Sequence, residues 1–131
     1  MAFMKITIYR TEKPKTRNIN EELQWFGQSI GLFSLRDKDK SCFRIFIVLV
    51  KNMKTGLTSD ELADNLHLTR GTVVHHLNKL IDSGIVVSEK GKYVMRAERL
   101  SELIALMKKH AETSFKELEQ IAKEIDERLE L

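Results

Sequence analysis

The fold is decided by residues 58–96, TSDELADNLHLTRGTVVHHLNKLIDSGIVVSEKGKYVMR. Thr58-Ser59-Asp60-Glu61 has the spacing of a capping box, so a helix is predicted from there to about Asn65. Leu66-His67-Leu68 then forms a tight turn. Thr69 caps a second helix, and Gly84 follows its end, where a left-handed residue is favoured.

A β-hairpin is predicted directly after the second helix. Two β-type runs, residues 85–88 and 93–96, are joined through Glu89-Lys90-Gly91-Lys92, with glycine where positive φ is needed. Helix, turn, helix and hairpin in this order are typical of a winged helix-turn-helix, in which the hairpin is the wing. The predicted fold class is therefore mainly α with a small β-wing, extended by a long C-terminal dimerisation helix.

The second helix, about residues 70–81, has one apolar face and one face without acids. Val73, Leu77 and Leu80 fall on the inner side at helical spacing. The outward positions are Arg70, Gly71, Val74, His75 and Asn78. Because no carboxylate on this face repels phosphate, the predicted partner is double-stranded DNA, with this segment as the recognition helix.

Composition narrows the class of protein. The 131 residues are 42% hydrophobic, which suits one compact domain with appendages. The single cysteine, Cys42, cannot form an intrachain disulfide and is most simply a core residue. Neither a signal-peptide pattern nor a membrane-spanning apolar run is present, so no membrane partner and a cytoplasmic location are expected.

The net charge of +3 is weak evidence for nucleic acid, but its distribution is informative. Residues 1–56 carry +6, residues 57–96 are neutral and residues 97–131 carry −3. Within the neutral segment, the acids cluster in its first helix, whereas the second helix and the wing carry more bases than acids. The bases thus lie on the elements that would touch phosphate.

Residues 1–36 are predicted to be an N-terminal extension. Phe3–Tyr9 alternates as a strand does, residues 10–19 form a polar loop, and Asn20 caps a short helix that Gly31 ends. The winged helix-turn-helix domain, residues 37–96, begins with an almost wholly apolar helix that starts at Asp37 or Asp39 and stops at Gly56. That helix is expected to be central.

Residues 97–131 contain neither glycine nor proline and are predicted to form a coiled-coil dimerisation helix. Apolar residues recur at intervals of three and four, with one stutter near residues 110–115. The helix is too long to pack entirely on so small a domain, so a homodimer is predicted. The seam residues are Leu100, Ile104, Met107, Ala111, Phe115, Leu118, Ala122, Ile125 and Leu129.

Residues 42–96 resemble the ArsR/MarR-type winged-helix transcription regulators. The resemblance is carried by Leu62-Ala63, by the run from Leu68 to Leu77, and by Leu80 with Ser83-Gly84-Ile85-Val86. It implies a dimeric repressor or activator with the second helix in the major groove and the wing on the backbone or minor groove.

Three features of the sequence, two residues and one absent motif, depart from that family's pattern. His67 stands where such turns usually carry glycine, at a left-handed position that histidine tolerates better than most residues. Val74 replaces a frequent serine and offers methyl groups to thymine. The paired-cysteine metal motif of the family's metal sensors is absent, and His75-His76 point about 100° apart, so neither a metal site nor another cofactor is expected.

The predicted DNA contacts have different roles. Arg70 can donate two hydrogen bonds to guanine, although a solvated arginine is the simpler alternative. His76 lies nearer the core side. The basic loop at residues 13–17 is an arm along the backbone or only a charged loop. The full predicted set is Thr69, Arg70, Gly71, Thr72, Val74, His75, Asn78, Lys79, Lys90 and Lys92.

The leading hypothesis is a homodimeric, sequence-specific DNA-binding transcription regulator whose half-sites lie about one helical turn apart, roughly 34 to 36 Å. The alternative is a winged-helix module for protein interaction, favoured by the neutral balance of residues 57–96. An enzyme is not expected, because no nucleophile with a base, paired catalytic carboxylates or phosphate-binding glycine loop is found.

Overall fold

The computed structural model describes residues 5–33 and 40–131. Within these ranges the chain has five helices and one antiparallel hairpin, which confirms the predicted mainly α fold with a small wing and a long C-terminal helix. The elements are α1 (Ile19–Ser29), α2 (Ser41–Lys51), α3 (Ser59–Leu66), α4 (Arg70–Asp82), β1 (Val86–Glu89), β2 (Lys92–Met95) and α5 (Leu100–Arg128).

The core lies between α2, α3, α4, the hairpin and the beginning of α5. Ile45, Phe46 and Leu49 of α2 have no exposed surface, which confirms the central position expected for this apolar helix. Side chains from each surrounding element close around them, including Leu62, Val73, Leu77, Leu80, Ile85 and Leu103. Full burial of one leucine or isoleucine stabilises the fold by about 1.5 to 3 kcal/mol.

Both ends of α3 are held by local interactions. The predicted capping box is confirmed: the Glu61 amide donates to the Thr58 hydroxyl at 3.1 Å, and the Thr58 amide donates to the Glu61 carboxylate at 3.2 Å. His67 ends α3 with φ 54°, the left-handed conformation expected for it. From α2, the guanidinium of Arg44 donates to the Leu66 carbonyl at 2.6 Å, so the turn is also tied to the central helix.

The wing is a short hairpin with a two-residue turn. Val86 pairs with Met95 and Glu89 with Lys92, and the connecting Lys90 and Gly91 have φ 51° and 79°, as primed hairpin turns require. Strand β1 begins and ends one residue later than predicted, and strand β2 begins and ends one residue earlier. Leu57 forms a β-bridge with Tyr93, so the segment before α3 lies against the wing.

The N-terminal extension differs from its prediction. Residues 5–9 do not form a strand; this segment lies against α1, where the Tyr9 amide donates to the Ser29 carbonyl at 2.8 Å. Phe3 lies outside the described residues. The side chain that caps α1 is that of Asn18 rather than Asn20, because its carboxamide oxygen accepts from two amides of the first turn.

The bounds of α2 also differ from the prediction. Asp37 and Asp39 lie outside the described residues, and the helix begins at Ser41, after Lys40 with φ 55°. It ends at Lys51, and a turn separates it from Gly56, which has φ 71°. An added Cβ at Gly56 would lie 2.2 Å from Val94 Cγ1, so glycine is required there by the packing of the wing.

The long helix α5 lies in two environments. Leu103 and Met107 are buried in the domain core, and Leu100 packs against it. From residue 112 onward every side chain is exposed. The predicted seam omitted Leu103 and included Leu100 and Met107, which face the chain's own core, so the part left free for another chain begins at about Ala111.

No described helix combines the length and hydropathy needed to cross a bilayer.

Candidate nucleic-acid interface

Burial separates the two faces of α4. Val73, Leu77 and Leu80 have no exposed surface and anchor the helix in the core. On the other side Arg70, Gly71, His75, Asn78 and Lys79 are exposed, and Val74 and Thr72 are half-buried. The domain therefore fixes one side of α4 rigidly and presents the other side to solvent.

The first turn of α4 is fixed by its own threonines. The Thr72 amide donates to the Thr69 hydroxyl at 3.2 Å, and the two hydroxyl groups lie 2.8 Å apart in a second hydrogen bond. The N-cap predicted for Thr69 is thereby confirmed. The positive end of the helix dipole lies at this turn, and it favours an anion such as phosphate.

Gly71 has no structural requirement for being glycine. It lies in α4 with ordinary helical backbone, and among the described residues no atom outside its own stretch of helix lies within 4 Å of an added Cβ. Glycine within a helix costs up to about 1 kcal/mol relative to alanine. The missing side chain leaves the backbone of α4 accessible to an outside molecule beside Arg70.

An acid from another element lies beside Arg70. The Asp60 carboxylate of α3 is 3.7 Å from Arg70 Nε, and both side chains are largely exposed. The face of α4 contains no acid, as predicted, but α3 supplies one at its edge. Sequence reasoning missed this pair, because residues 60 and 70 come together only through the angle between the two helices.

The wing approaches the same end of α3. The pKa of Glu61 is lowered, first by hydrogen bonding to the Thr58 backbone and hydroxyl, and further by the charge of Lys92 on β2. Asp60 and Glu61 are adjacent at the beginning of α3. Arg70 of α4 therefore lies near the first of these acids, and Lys92 of the wing lies within electrostatic range of the second.

The remaining predicted contacts are placed as follows. Lys90 is exposed in the wing turn. His76 is half-buried, which agrees with its expected position nearer the core. Its ring lies edge-on to that of His75, with 5.4 Å between the ring centroids. The guanidinium of Arg96, directly after the wing, donates to the Gly84 carbonyl and ties the end of the wing to the end of α4.

Metal ligands do not converge in the described part of the chain: no group of three or more His, Cys, Asp or Glu side chains is placed to hold an ion. Cys42 is buried in α2, and its Sγ lies 3.4 Å from the Leu32 carbonyl as a hydrogen-bond donor.

Comparison with known proteins agrees with this geometry. A family model described as an HTH domain matches residues 43–95, which run from α2 through β2. Neither a curated protein nor a solved structure matches the chain significantly. The match supports DNA as the partner and a DNA-binding domain rather than an enzymatic one, and it is broader than the ArsR/MarR family.

Proposed function

We propose that this chain is a dimeric, sequence-specific DNA-binding transcription regulator of the ArsR/MarR-like winged-helix type. In this proposal α4 enters the major groove and the wing lies along the backbone or minor groove. The α5 helices of two copies pair to form the dimer, so that the operator is an inverted repeat.

The observation that supports this proposal best is the outer face of α4. It begins with an exposed arginine, continues with a glycine that the fold does not require, and then presents Val74, His75 and Asn78. Arginine recognises guanine, and asparagine recognises adenine, through paired hydrogen bonds to base edges. The absent side chain at Gly71 lets DNA approach the helix backbone closely.

Phosphate contacts are assigned to the exposed lysines Lys79, Lys90 and Lys92, together with the hydroxyl groups of Thr69 and Thr72. These groups give affinity without sequence information. Since the segment 57–96 has no net charge, the binding free energy from counterion release is expected to be modest, and base contacts must supply much of the affinity.

The test is fluorescence anisotropy with an operator selected from genomic fragments and with random duplex, each over a salt series. Arg70→Ala should weaken operator binding by about 1 to 3 kcal/mol and affect random duplex less. Lys51→Ala, which removes an exposed charge from α2, is the control. Equal loss on both duplexes would limit Arg70 to a phosphate contact.

A protein-interaction module is the second candidate, and one observation favours it. Asp60 and Glu61 lie beside two of the bases that DNA would need, Arg70 and Lys92, and partly neutralise them. If the protein binds neither duplex at low salt, this second candidate replaces the regulator.

A further inference from the structure

The chain leaves far more surface exposed than a compact chain does, and the distal part of α5 contributes to this excess. The accessible surface is 9717 Å², against about 7,100 Å² for a compact monomer of 15.2 kDa. The excess is several times the roughly 800 Å² that each partner contributes to an interface of standard size. Five large apolar side chains of this segment are exposed by 47 to 63%: Phe115, Leu118, Ile121, Ile125 and Leu129.

We propose that the partner of this segment is a second copy of the chain, paired antiparallel and centred on residue 120. The inference rests on the dimer proposed above and specifies its orientation. In this register, residues of the apolar seam whose numbers add to 240 face each other, whereas the pairs that flank the seam add to 238 on one side and to 242 on the other. Ala111 then meets Leu129 of the other copy, Phe115 meets Ile125, and Leu118 meets Ala122.

The sizes of these side chains favour the antiparallel arrangement. Each alanine faces a leucine, so the layers have similar thickness and the two helices can remain at one separation. Parallel pairing would set Ala111 and Ala122 against themselves and Phe115 against itself. Thin and thick layers would then alternate, leaving voids beside the alanines or overpacking beside the phenylalanines.

Charge at the two ends of the segment favours the same arrangement. The end near the domain carries Lys108 and Lys109 against Glu112, and the far end carries Asp126, Glu127 and Glu130 against Arg128, so the two ends have opposite net charge. Antiparallel pairing sets the basic end of one copy beside the acidic end of the other, whereas parallel pairing sets acid beside acid. Close opposite charges stabilise a pair, and close like charges destabilise it.

One flank opposes this arrangement. Glu119 faces Glu119 across the twofold axis, and Glu112 faces Asp126. Each of these glutamates has a lysine four residues later on its own helix, Lys116 or Lys123, which offsets the repulsion. On the other flank Ile121 faces Ile121, which adds apolar contact, so the packing terms decide the orientation.

The orientation determines how far apart the two DNA-binding domains lie. Met107 is the last buried residue of α5, thirteen positions before the centre. At 1.5 Å per residue the two Met107 side chains lie about 39 Å apart along the axis. The free length of α5, rather than the helix-turn-helix motif alone, therefore determines how far apart the two domains lie.

Disulfide crosslinking tests the orientation. In a Cys42→Ala background, Ala111→Cys and Leu129→Cys chains are oxidised separately and as a mixture, and sedimentation velocity of the full chain gives its oligomeric state. Antiparallel pairing predicts a mixed disulfide in the mixture only. In each separate sample the cysteines are about 27 Å apart along the axis, too far for a bond.

Each other outcome overturns a defined part of the proposal. Disulfides in the separate samples, with none specific to the mixture, would establish parallel pairing and leave the dimer intact. A dimer that forms no disulfide in any sample would show that α5 is not the interface. A monomeric full chain would remove the dimer itself, and with it this inference.

Discussion

The helices α4 and distal α5 are both amphipathic, but they leave opposite faces free. The apolar face of α4 is completely buried in its own domain, and its polar face is open. Distal α5 has no domain beneath it, so its apolar face is exposed together with its charges. The chemistry of the free face indicates the partner: hydrogen-bonding and cationic groups suit DNA, whereas leucine, isoleucine and phenylalanine suit another protein surface.

The largest effect is expected from truncating the buried face of α4. Leu77→Ala should lower the free energy of unfolding by about 2 to 5 kcal/mol, because removing most of this buried side chain leaves a cavity in the core. This loss should not depend on protein concentration. Leu118→Ala is the matched control on α5, and its cost should appear only at concentrations where the chain is dimeric.

Urea unfolding followed by circular dichroism at two protein concentrations measures both variants. A cost for Leu118→Ala that persists at high dilution would contradict the comparison, because it would mean that distal α5 packs on its own chain.

The sequence predicted most of the features that local chemistry controls. The capping box at Thr58, the cap at Thr69, the left-handed His67 and the glycine-containing wing turn each depend on neighbours within a few residues, and all four are confirmed. The strand at residues 3–9 was predicted from the alternation of its residues and from their β-branched character. Alternation does not supply a partner strand, and residues 5–9 lie instead along α1.

Features that depend on the packing of distant segments were missed. The Asp60–Arg70 pair and the bond from Arg44 to Leu66 join residues on different helices, and nothing in their spacing indicates a contact. For α5 the periodicity predicted the helix. It did not show where the domain stops covering the helix, and Leu103 was therefore omitted from the buried face.

Gly71→Ala should separate stability from binding. The helix should gain up to about 1 kcal/mol, since alanine is the better helix former and no atom obstructs its Cβ. Binding to the selected operator should weaken, because the methyl group stands where DNA approaches α4. Thermal unfolding and anisotropy measure the two effects.

Gly91→Ala is the control for this substitution. Its Cβ also meets no atom, but Gly91 has φ 79°, so alanine there is strained and should destabilise the wing. If Gly71→Ala binds the operator as well as the original chain does, DNA does not approach the start of α4, and the open face of α4 loses its assigned partner.

A smaller effect is expected where α3 supplies an acid to the open face of α4. Asp60→Asn removes the carboxylate 3.7 Å from Arg70 Nε and should strengthen DNA binding. The pair is exposed, so the gain should stay below about 1 kcal/mol, roughly fivefold in affinity, and should shrink as salt rises. Asp64→Asn, an exposed acid on the same helix, is the control. Equal gains from both variants would attribute the effect to net charge alone.

The smallest effect concerns Glu61, which links α3 to the wing. Its folded-state pKa lies below the ordinary 4.5 because Thr58 donates to its carboxylate and Lys92 lies nearby. A carboxyl whose pKa is lowered by folding stabilises the protein above its unfolded pKa, and that stabilisation is lost as the pH falls through the folded pKa. The original chain should therefore lose a small part of its stability below pH 4.5 that Glu61→Gln does not lose. A titration of the Glu61 carboxyl carbon by NMR tests the cause. Thr58→Ala removes the hydroxyl but keeps the backbone amide, so it should raise the pKa part of the way toward the ordinary value, and Lys92→Gln should raise it less. If Lys92→Gln raised it more, the wing charge rather than the capping box would control this carboxylate, and Lys92 would be less available to DNA than its exposure indicates.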